Sequence, residues 1–246
     1  MELIKKEVFN RSVRDGEIYD FEILNNGLYL VAISARCKNW IQNAKKLFND
    51  DDLAIEIDDV PFYEGVGKYK EFNSPASWNG NVEKNIRKTV FFILPLISQG
   101  HELKFIVDEQ PFLETIEIYS LDGQEISLAS VLPQSMGDKL FFDVVFKNLV
   151  FKNLEIKASA DSSGNLKLLA DKTEYRWLGK KLRGNSEGFN IERVNNLVFL
   201  GIGETVLEEL KFSLDSFNFS KRAKVALYKD IVMSDIEPRK YRVCVL

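Results

Sequence analysis

The residues from Thr89 to Tyr119, TVFFILPLISQGHELKFIVDEQPFLETIEIY, restrict the fold more than any other part of the chain. They read as three strands and two breaks. Val90 to Leu96 is an apolar run, ended by Ser98-Gln99-Gly100. From Glu102 to Asp108, Leu103, Phe105 and Val107 recur with a period of two, which puts them on one face of a strand. Glu109-Gln110-Pro111 is the second break, and Glu114 to Tyr119 alternates again through Ile116 and Ile118. The same order returns later, between Asn196 and Tyr228. There Glu209-Leu210-Lys211-Phe212 stands where Glu102-Leu103-Lys104-Phe105 stands, and Asp215 where Asp108 stands. The sequence therefore predicts an all-β fold, an antiparallel β-sandwich built from two similar units.

The rest of the chain divides on that basis into residues 1–130 and a more divergent second unit, 131–246. Residues 1 to 17 fit an edge strand that docks through Val8 and Phe9. Ile18 to Leu24 and Gly27 to Ala35 are predicted to form a hairpin across Asn25-Asn26-Gly27, because Asn-Gly tolerates the positive φ of a tight turn. Along Gly27 to Ala35, Tyr29, Val31, Ile33 and Ala35 share one face, and Leu28, Leu30, Ala32 and Ser34 the other. Both faces are largely apolar, which predicts a central strand covered from both sides. Lys38 to Asp52 fits a short helix or a long loop, and Leu53 to Val60 is a strand. Phe62 to Lys88 is an aperiodic stretch too long for an ordinary connection. In the second unit, Leu154 to Ala160 echoes Leu30 to Ala35, Leu166 to Asp171 matches Leu53 to Asp58, and Lys172 to Glu192 parallels the long loop. A first unit folding alone is expected, since Ile18 to Leu121 holds a full set of alternating strands. One core continuous across both units is the other arrangement the pattern allows.

Composition narrows the function classes. An apolar fraction of 45%, with 18 Phe and 8 Tyr, fills a substantial core and excludes native disorder. A formal net charge of -4 gives no overall field for nucleic acid. The basic clusters Lys84 to Lys88 and Arg176 to Arg183 are isolated, so nucleic acid is not an expected partner. No apolar run approaches the ~18 residues of a spanning helix, so membrane insertion by a helix is not expected. The opening MELIKKEVFNRSVRDGE has no signal-peptide core, so the expected compartment is cytoplasmic unless the chain is a fragment. Cys37 and Cys244 read as buried thiols rather than as a disulfide framework.

Catalytic chemistry finds few residues to use. His101 is the one histidine; following a turn glycine, it reads as a surface turn residue rather than a general base. One histidine and two distant cysteines cannot make the usual zinc site. Asp50-Asp51-Asp52 and Asp58-Asp59 offer oxygen ligands, but in no calcium-loop spacing. The chain is accordingly expected not to be an enzyme, and no cofactor is assigned. The aromatic loop carries the better signal. Tyr69, Phe72, Asn73, Trp78, Asn79 and Asn81 combine flat apolar rings with amides that donate and accept, the mixture that holds a sugar ring. Trp78 before Asn79-Gly80 also fits a plug at the open end of a sandwich.

A strand from Gly27-Leu28-Tyr29 to Ala35, a strand ending Ile57-Asp58-Asp59, a loop with Trp78-Asn79-Gly80, an apolar strand, Gly100-His101-Glu102-Leu103-Lys104-Phe105 and a closing Leu113 to Ile118 follow in order. This order resembles the galactose-binding-like jelly roll of carbohydrate-binding modules. In that family the second of these strands ends in a hydrophobic residue, Asp and Gly; here Asp59 replaces the glycine. The resemblance covers residues 17 to 121, and 140 to 229 more faintly. It implies a non-catalytic carbohydrate-binding or adhesion module, often with a structural calcium. Trp78 with Tyr69 or Tyr63 would then be ring platforms, and Asn73 and Asn79 would meet hydroxyls. The alternative is a structural or assembly protein of a surface layer or particle, whose partner is another protein.

Overall fold

The computed structural model describes residues 1–43, 49–62, 71–133, 139–160, 165–171, 173–178, 181–184, 194–203 and 205–219. Among these the chain is almost entirely β-strand. In order the strands are β1 (Glu2–Ser12), β2 (Ile18–Ile23), β3 (Gly27–Arg36), β4 (Asp52–Ile57), β5 (Val60–Pro61) and β6 (Trp78–Asn79). After the one-turn helix α1 (Gly80–Glu83) come β7 (Lys88–Leu96), β8 (Gln99–Asp108), β9 (Phe112–Leu121) and β10 (Ile126–Ser127). The second half supplies β11 (Lys139–Phe146), β12 (Leu149–Ala160), β13 (Asn165–Ala170), β14 (Thr173–Leu178), β15 (Lys181–Gly184), β16 (Asn196–Ile202) and β17 (Thr205–Phe217).

They form three sheets. The largest runs β1-β9-β3-β7-β11-β16-β13-β14-β15 through both halves of the chain. Its seam is the parallel pair β7–β11, in which Val90 stands opposite Asp143 and Phe92 opposite Val145. Beside it lie a five-stranded sheet, β2-β8-β4-β5 with β6 on β4, and a three-stranded sheet, β10-β17-β12.

Two buried clusters occupy opposite faces of the large sheet, and the period of two along β3 separates them. Tyr29, Val31, Ile33 and Ala35 pack with Leu53, Ile55, Leu103 and Phe105 of the five-stranded sheet. Leu28, Leu30 and Ala32 face the other way, and pack with Phe142, Phe151, Phe199 and Phe212 from the second half. The doubly apolar pattern of β3 is thus that of a central strand covered on both sides, as expected. The second cluster draws on strands before and after residue 130, so the buried apolar surface does not divide at that boundary.

Several sequence expectations change here. The Asn25-Asn26-Gly27 turn joins two strands that are not paired to each other. β2 pairs with β8, and β3 with β7 and β9. Turn chemistry favours reversing the chain but does not choose the sheet it returns to, and β3 needs partners on both edges. Two of the internal echoes also fall in unlike places. β3 lies in the large sheet but its echo β12 in the three-stranded one; β4 lies in the five-stranded sheet but its echo β13 in the large one. What does recur is a local clasp. Asp58 N–H donates to Glu102 O at 2.9 Å and Glu102 N–H to Asp58 Oδ1 at 3.1 Å. Asp171 N–H donates to Asn196 O at 2.9 Å, and Asn196 N–H to Asp171 Oδ1 at 2.9 Å. Both aspartates have positive φ, 54° and 49°. Asp59, standing where the jelly-roll pattern has glycine, has φ 59°, in the left-handed region that Asp tolerates better than most residues. The stretch parallel to the long loop includes strands β14 and β15.

His101 is not a surface turn residue. It is buried at the start of β8, stacked on Phe21 with ring centroids 5.3 Å apart. Nδ1 lies 2.6 Å from Asp58 Oδ2, and Nε2 lies 2.9 Å from Ile97 O. The ring thereby ties the end of β4 to the turn before β8. It is structural.

Candidate functional site

Among the described residues of the aromatic loop, none presents the platform its composition suggested. Trp78 is wholly buried, held in β6 opposite Leu53, and its indole N–H donates to Lys88 O at 2.9 Å. Phe72 is buried as well. Asn79 is the N-cap of α1, its side-chain oxygen accepting from Asn81 N–H at 3.1 Å and Val82 N–H at 3.2 Å. Asn73 is exposed, while Tyr63 and Tyr69 lie outside the described residues. Trp78 is therefore a plug. An indole carries enough apolar surface to close the end of a core, and its single N–H found an internal acceptor. Trp78→Ala is expected to cost about 3–5 kcal/mol through the cavity it leaves, read as a lowered midpoint in urea. A variant melting within a few degrees of wild type would contradict the plug.

Gly80 follows Trp78 and Asn79 because nothing larger fits. A Cβ there would stand 2.1 Å from Lys38 O and 2.7 Å from Asp51 O. This close approach brings α1 against the acidic run. Gly80 N–H donates to Asp52 Oδ1 at 3.0 Å, and Asp51 accepts from Asn43 Nδ2 at 2.8 Å and Gln110 N–H at 3.2 Å. Of the acids considered as oxygen ligands, Asp51, Asp52 and Asp58 are thus engaged by protein donors. Among the described residues no group of three or more His, Cys, Asp or Glu is arranged to hold a metal ion.

Under the plug lies a buried ionic cluster. Lys88 Nζ is 2.7 Å from Asp143 Oδ2, 3.3 Å from Glu83 Oε1 and 2.5 Å from Ser77 O. All three ionic side chains are nearly or wholly shut off from solvent. Burial pushes Glu83 up to about 7 and Asp143 up to about 6 against the pull of Lys88. For Lys88 burial works downward, but Asp143 and Glu83 outweigh it and hold the ammonium up at about 12. Cys37 is a buried free thiol, pushed well up by burial and then by the charges of Glu83, Asp52 and Asp51. These acids have no access to a substrate. Their visible effect is to join α1, β7 and β11 across the seam of the large sheet.

On the opposite face of the same strands the surface opens. Along β3 the residues facing the second cluster run Leu28, Leu30, Ala32 and then Ser34, Arg36. Along β7 they run Ile93, Phe91 and then Thr89, Arg87 just before it; along β9, Leu121, Tyr119 and then Glu117, Thr115. The apolar ends are covered. The polar ends line a groove of about 550 Å³, with Val131, Pro133 and Leu140 at its side and Ala32 and Phe91 at the boundary with the core. Ser34 Oγ and Thr89 Oγ1 share a hydrogen bond of 2.8 Å, and Arg87 Nη2 donates to Ser34 Oγ at 3.1 Å. Glu114 pairs with Arg36 Nε, and with Arg87 Nε at 3.1 Å. Glu117 is 2.6 Å from Lys6 Nζ and accepts from the Tyr119 hydroxyl at 2.5 Å. Burial raises Glu117, but those two donors outweigh it and hold the carboxyl below the usual range. Burial and the bond to Glu117 raise the Tyr119 hydroxyl.

In the sequence Ser34 shares a face with Leu30 and Ala32, and Arg36 follows on the same face. The usable signal is the switch from apolar to polar at alternate positions of three strands, all at the same end.

Comparison with known proteins adds little. No protein-family model matches the chain, and no curated protein matches it. A family GH115 4-O-methyl-α-glucuronidase with specificity for decorated arabinogalactans is similar over 45% of this chain and 14% of its own, with 16% identity and a TM-score of 0.28. The chain thus spans a small part of that enzyme. The CUB1-EGF-CUB2 domain of human MASP-1/3 is similar over 85% of this chain and 98% of its own, with 7% identity and a TM-score of 0.24. Neither likeness carries an argument about fold or function.

Proposed function

We propose that this chain is a non-catalytic carbohydrate-binding module with a jelly-roll-like β-sandwich, and that its ligand lies in the groove over β9, β3 and β7. The observation that carries the reading is the groove itself. A sheet face that is otherwise core turns hydroxyl-, guanidinium- and carboxylate-lined at one end, beside aliphatic walls. A sugar ring offers the matching surface, partly apolar on its face and hydroxylated around its edge. Strands hold such groups more rigidly than loops do, which lowers the ordering cost of a weak ligand.

The non-catalytic part rests on where the carboxylates are. Acid catalysis needs a carboxyl kept protonated within reach of the substrate. Of the raised carboxyls, Glu83 and Asp143 are buried in the ionic cluster and Asp52 is buried against Gly80, whereas Glu117 in the groove is held ionised by Lys6 and Tyr119.

The test is a calorimetric and NMR screen of mono- and oligosaccharides up to millimolar concentration, run on wild type and Thr115→Trp. Thr115 is half-buried in the groove lining, and an indole there would intrude on the space a ligand needs. Binding by wild type, with affinity lost by about tenfold or more in a variant that still melts near wild type, is the expected result. A flat screen contradicts the reading, as does a Thr115→Trp variant that binds like wild type.

An assembly role has one observation in its favour. β1 is an edge of the large sheet, and Leu3, Ile4 and Val8 on it are exposed. Unpaired strand edges are templates for further pairing. The bulges at Leu3/Lys5 and Val8/Arg11, with Lys5 and Lys6 beside them, work against it.

A further inference from the structure

Resting on the carbohydrate reading, we infer that the groove selects a sugar bearing a carboxylate, a hexuronic acid unit, over its neutral counterpart. The charges around it do not balance. Glu117 is matched by Lys6, but Glu114 alone answers both Arg36 and Arg87. Lys139 adds a further cation to the groove lining. This positive surplus stands in a chain whose formal net charge is -4.

The hydrogen-bond count agrees. A guanidinium carries five N–H donors in a planar fork. Among the described residues Arg36 donates only through Nε to Glu114, which leaves both its Nη groups for a ligand. Arg87 donates through Nη2 to Ser34, and its Nε forms an ion pair with Glu114. Glu114, itself mostly covered, fixes both forks from behind. A neutral hydroxyl uses one such donor at a time, whereas a carboxylate takes two in parallel with charge assistance. The Ser34 and Thr89 hydroxyls sit beside the forks to meet the ring's own hydroxyls.

The experiment titrates the full chain at pH 7 and low salt with trigalacturonic acid, its methyl ester and the neutral galactose trisaccharide, with a sulfated galactose oligosaccharide as a second anion. The acid is expected to bind about tenfold more tightly than the ester and the neutral sugar, which is about 1.4 kcal/mol, and to weaken as salt rises. Arg36→Gln and Arg87→Gln should each remove most of that advantage. Equal affinity for acid and neutral sugar overturns the inference and leaves the carbohydrate reading standing. A sulfated sugar that binds more tightly than the uronate also overturns it, because the site would then read charge without carboxylate geometry. No binding by any of the four overturns the carbohydrate reading together with the inference.

Discussion

Lys88→Ala is expected to destabilise the fold by about 3–5 kcal/mol at pH 7.5, because it strands buried carboxylates without their cation. Glu83 and Asp143 meet at Lys88 Nζ with almost no solvent contact, so neither can recover its hydration when the ammonium goes. The loss should shrink toward pH 5, where the stranded acids take up protons and the buried charge disappears. Wild type has a pH dependence of its own. Burial raises Asp52 and Glu83 to about 7 and Asp143 to about 6. A carboxyl raised in the folded state binds a proton there that the unfolded chain has already released. Stability from these groups is therefore fully present near the unfolded carboxylate range and is lost as pH rises toward 7. Urea midpoints should fall from pH 5 to pH 7.5 in wild type, and fall more steeply in Lys88→Ala. A Lys88→Ala midpoint equal to wild type at pH 7.5 would remove the cluster from the account. Lys88 lies between Arg87 and Thr89, whose side chains line the groove on the other face, so loss of the cluster should also loosen the groove floor.

Cutting the chain after Ser130 is the second large effect. The fragment Met1–Ser130 keeps the five-stranded sheet and all of its cluster except Val145. It loses everything after residue 130 that packs on Leu28, Leu30, Phe91, Ile93 and Leu121. Each large apolar side chain returned to water forfeits about 1.5–3 kcal/mol, so the five together forfeit about as much as the roughly 5–15 kcal/mol that stabilises an ordinary domain. β7 also loses β11 and becomes an open edge. The fragment should bind dyes for exposed apolar surface and unfold without a cooperative transition. A sharp transition with a midpoint near that of the full chain would show that the first half is a unit in its own right.

Much of the fold was legible in local patterns. Alternation at Leu103 and Phe105 located β8 and its inward face, and apolar residues on both faces of β3 located the centre of the large sheet. What the patterns lacked was sheet assignment. Asn25-Asn26-Gly27 signals a reversal equally well whether the chain pairs with itself or crosses to a facing sheet, and only the competition of β7 and β9 for the edges of β3 decides it. β14 and β15 were hidden because Gly179 and the basic residues after it break the alternation that Tyr175 and Trp177 begin. Lys88 at a strand start reads as solvent-facing until Asp143, far along the chain, is placed beside it by a parallel pairing that no local signal announces. Trp78 misled for a related reason: an indole among polar loop residues looks free, and its acceptor at Lys88 O is a backbone atom without a sequence signature. The groove was half visible, since Ser34 and Arg36 break an apolar face. Its width depended on β9 and β7 breaking at the same level.

The central claim, that the polar end of this sheet face is the ligand site, is tested most directly by following backbone amide NMR shifts while trigalacturonic acid is titrated in. Perturbations concentrated at Ser34, Arg36, Thr89, Thr115 and Glu117 are the predicted result. Perturbations at Asn73 and Asn79 with those five amides unmoved would contradict it, and would return the site to the loop around the buried Trp78.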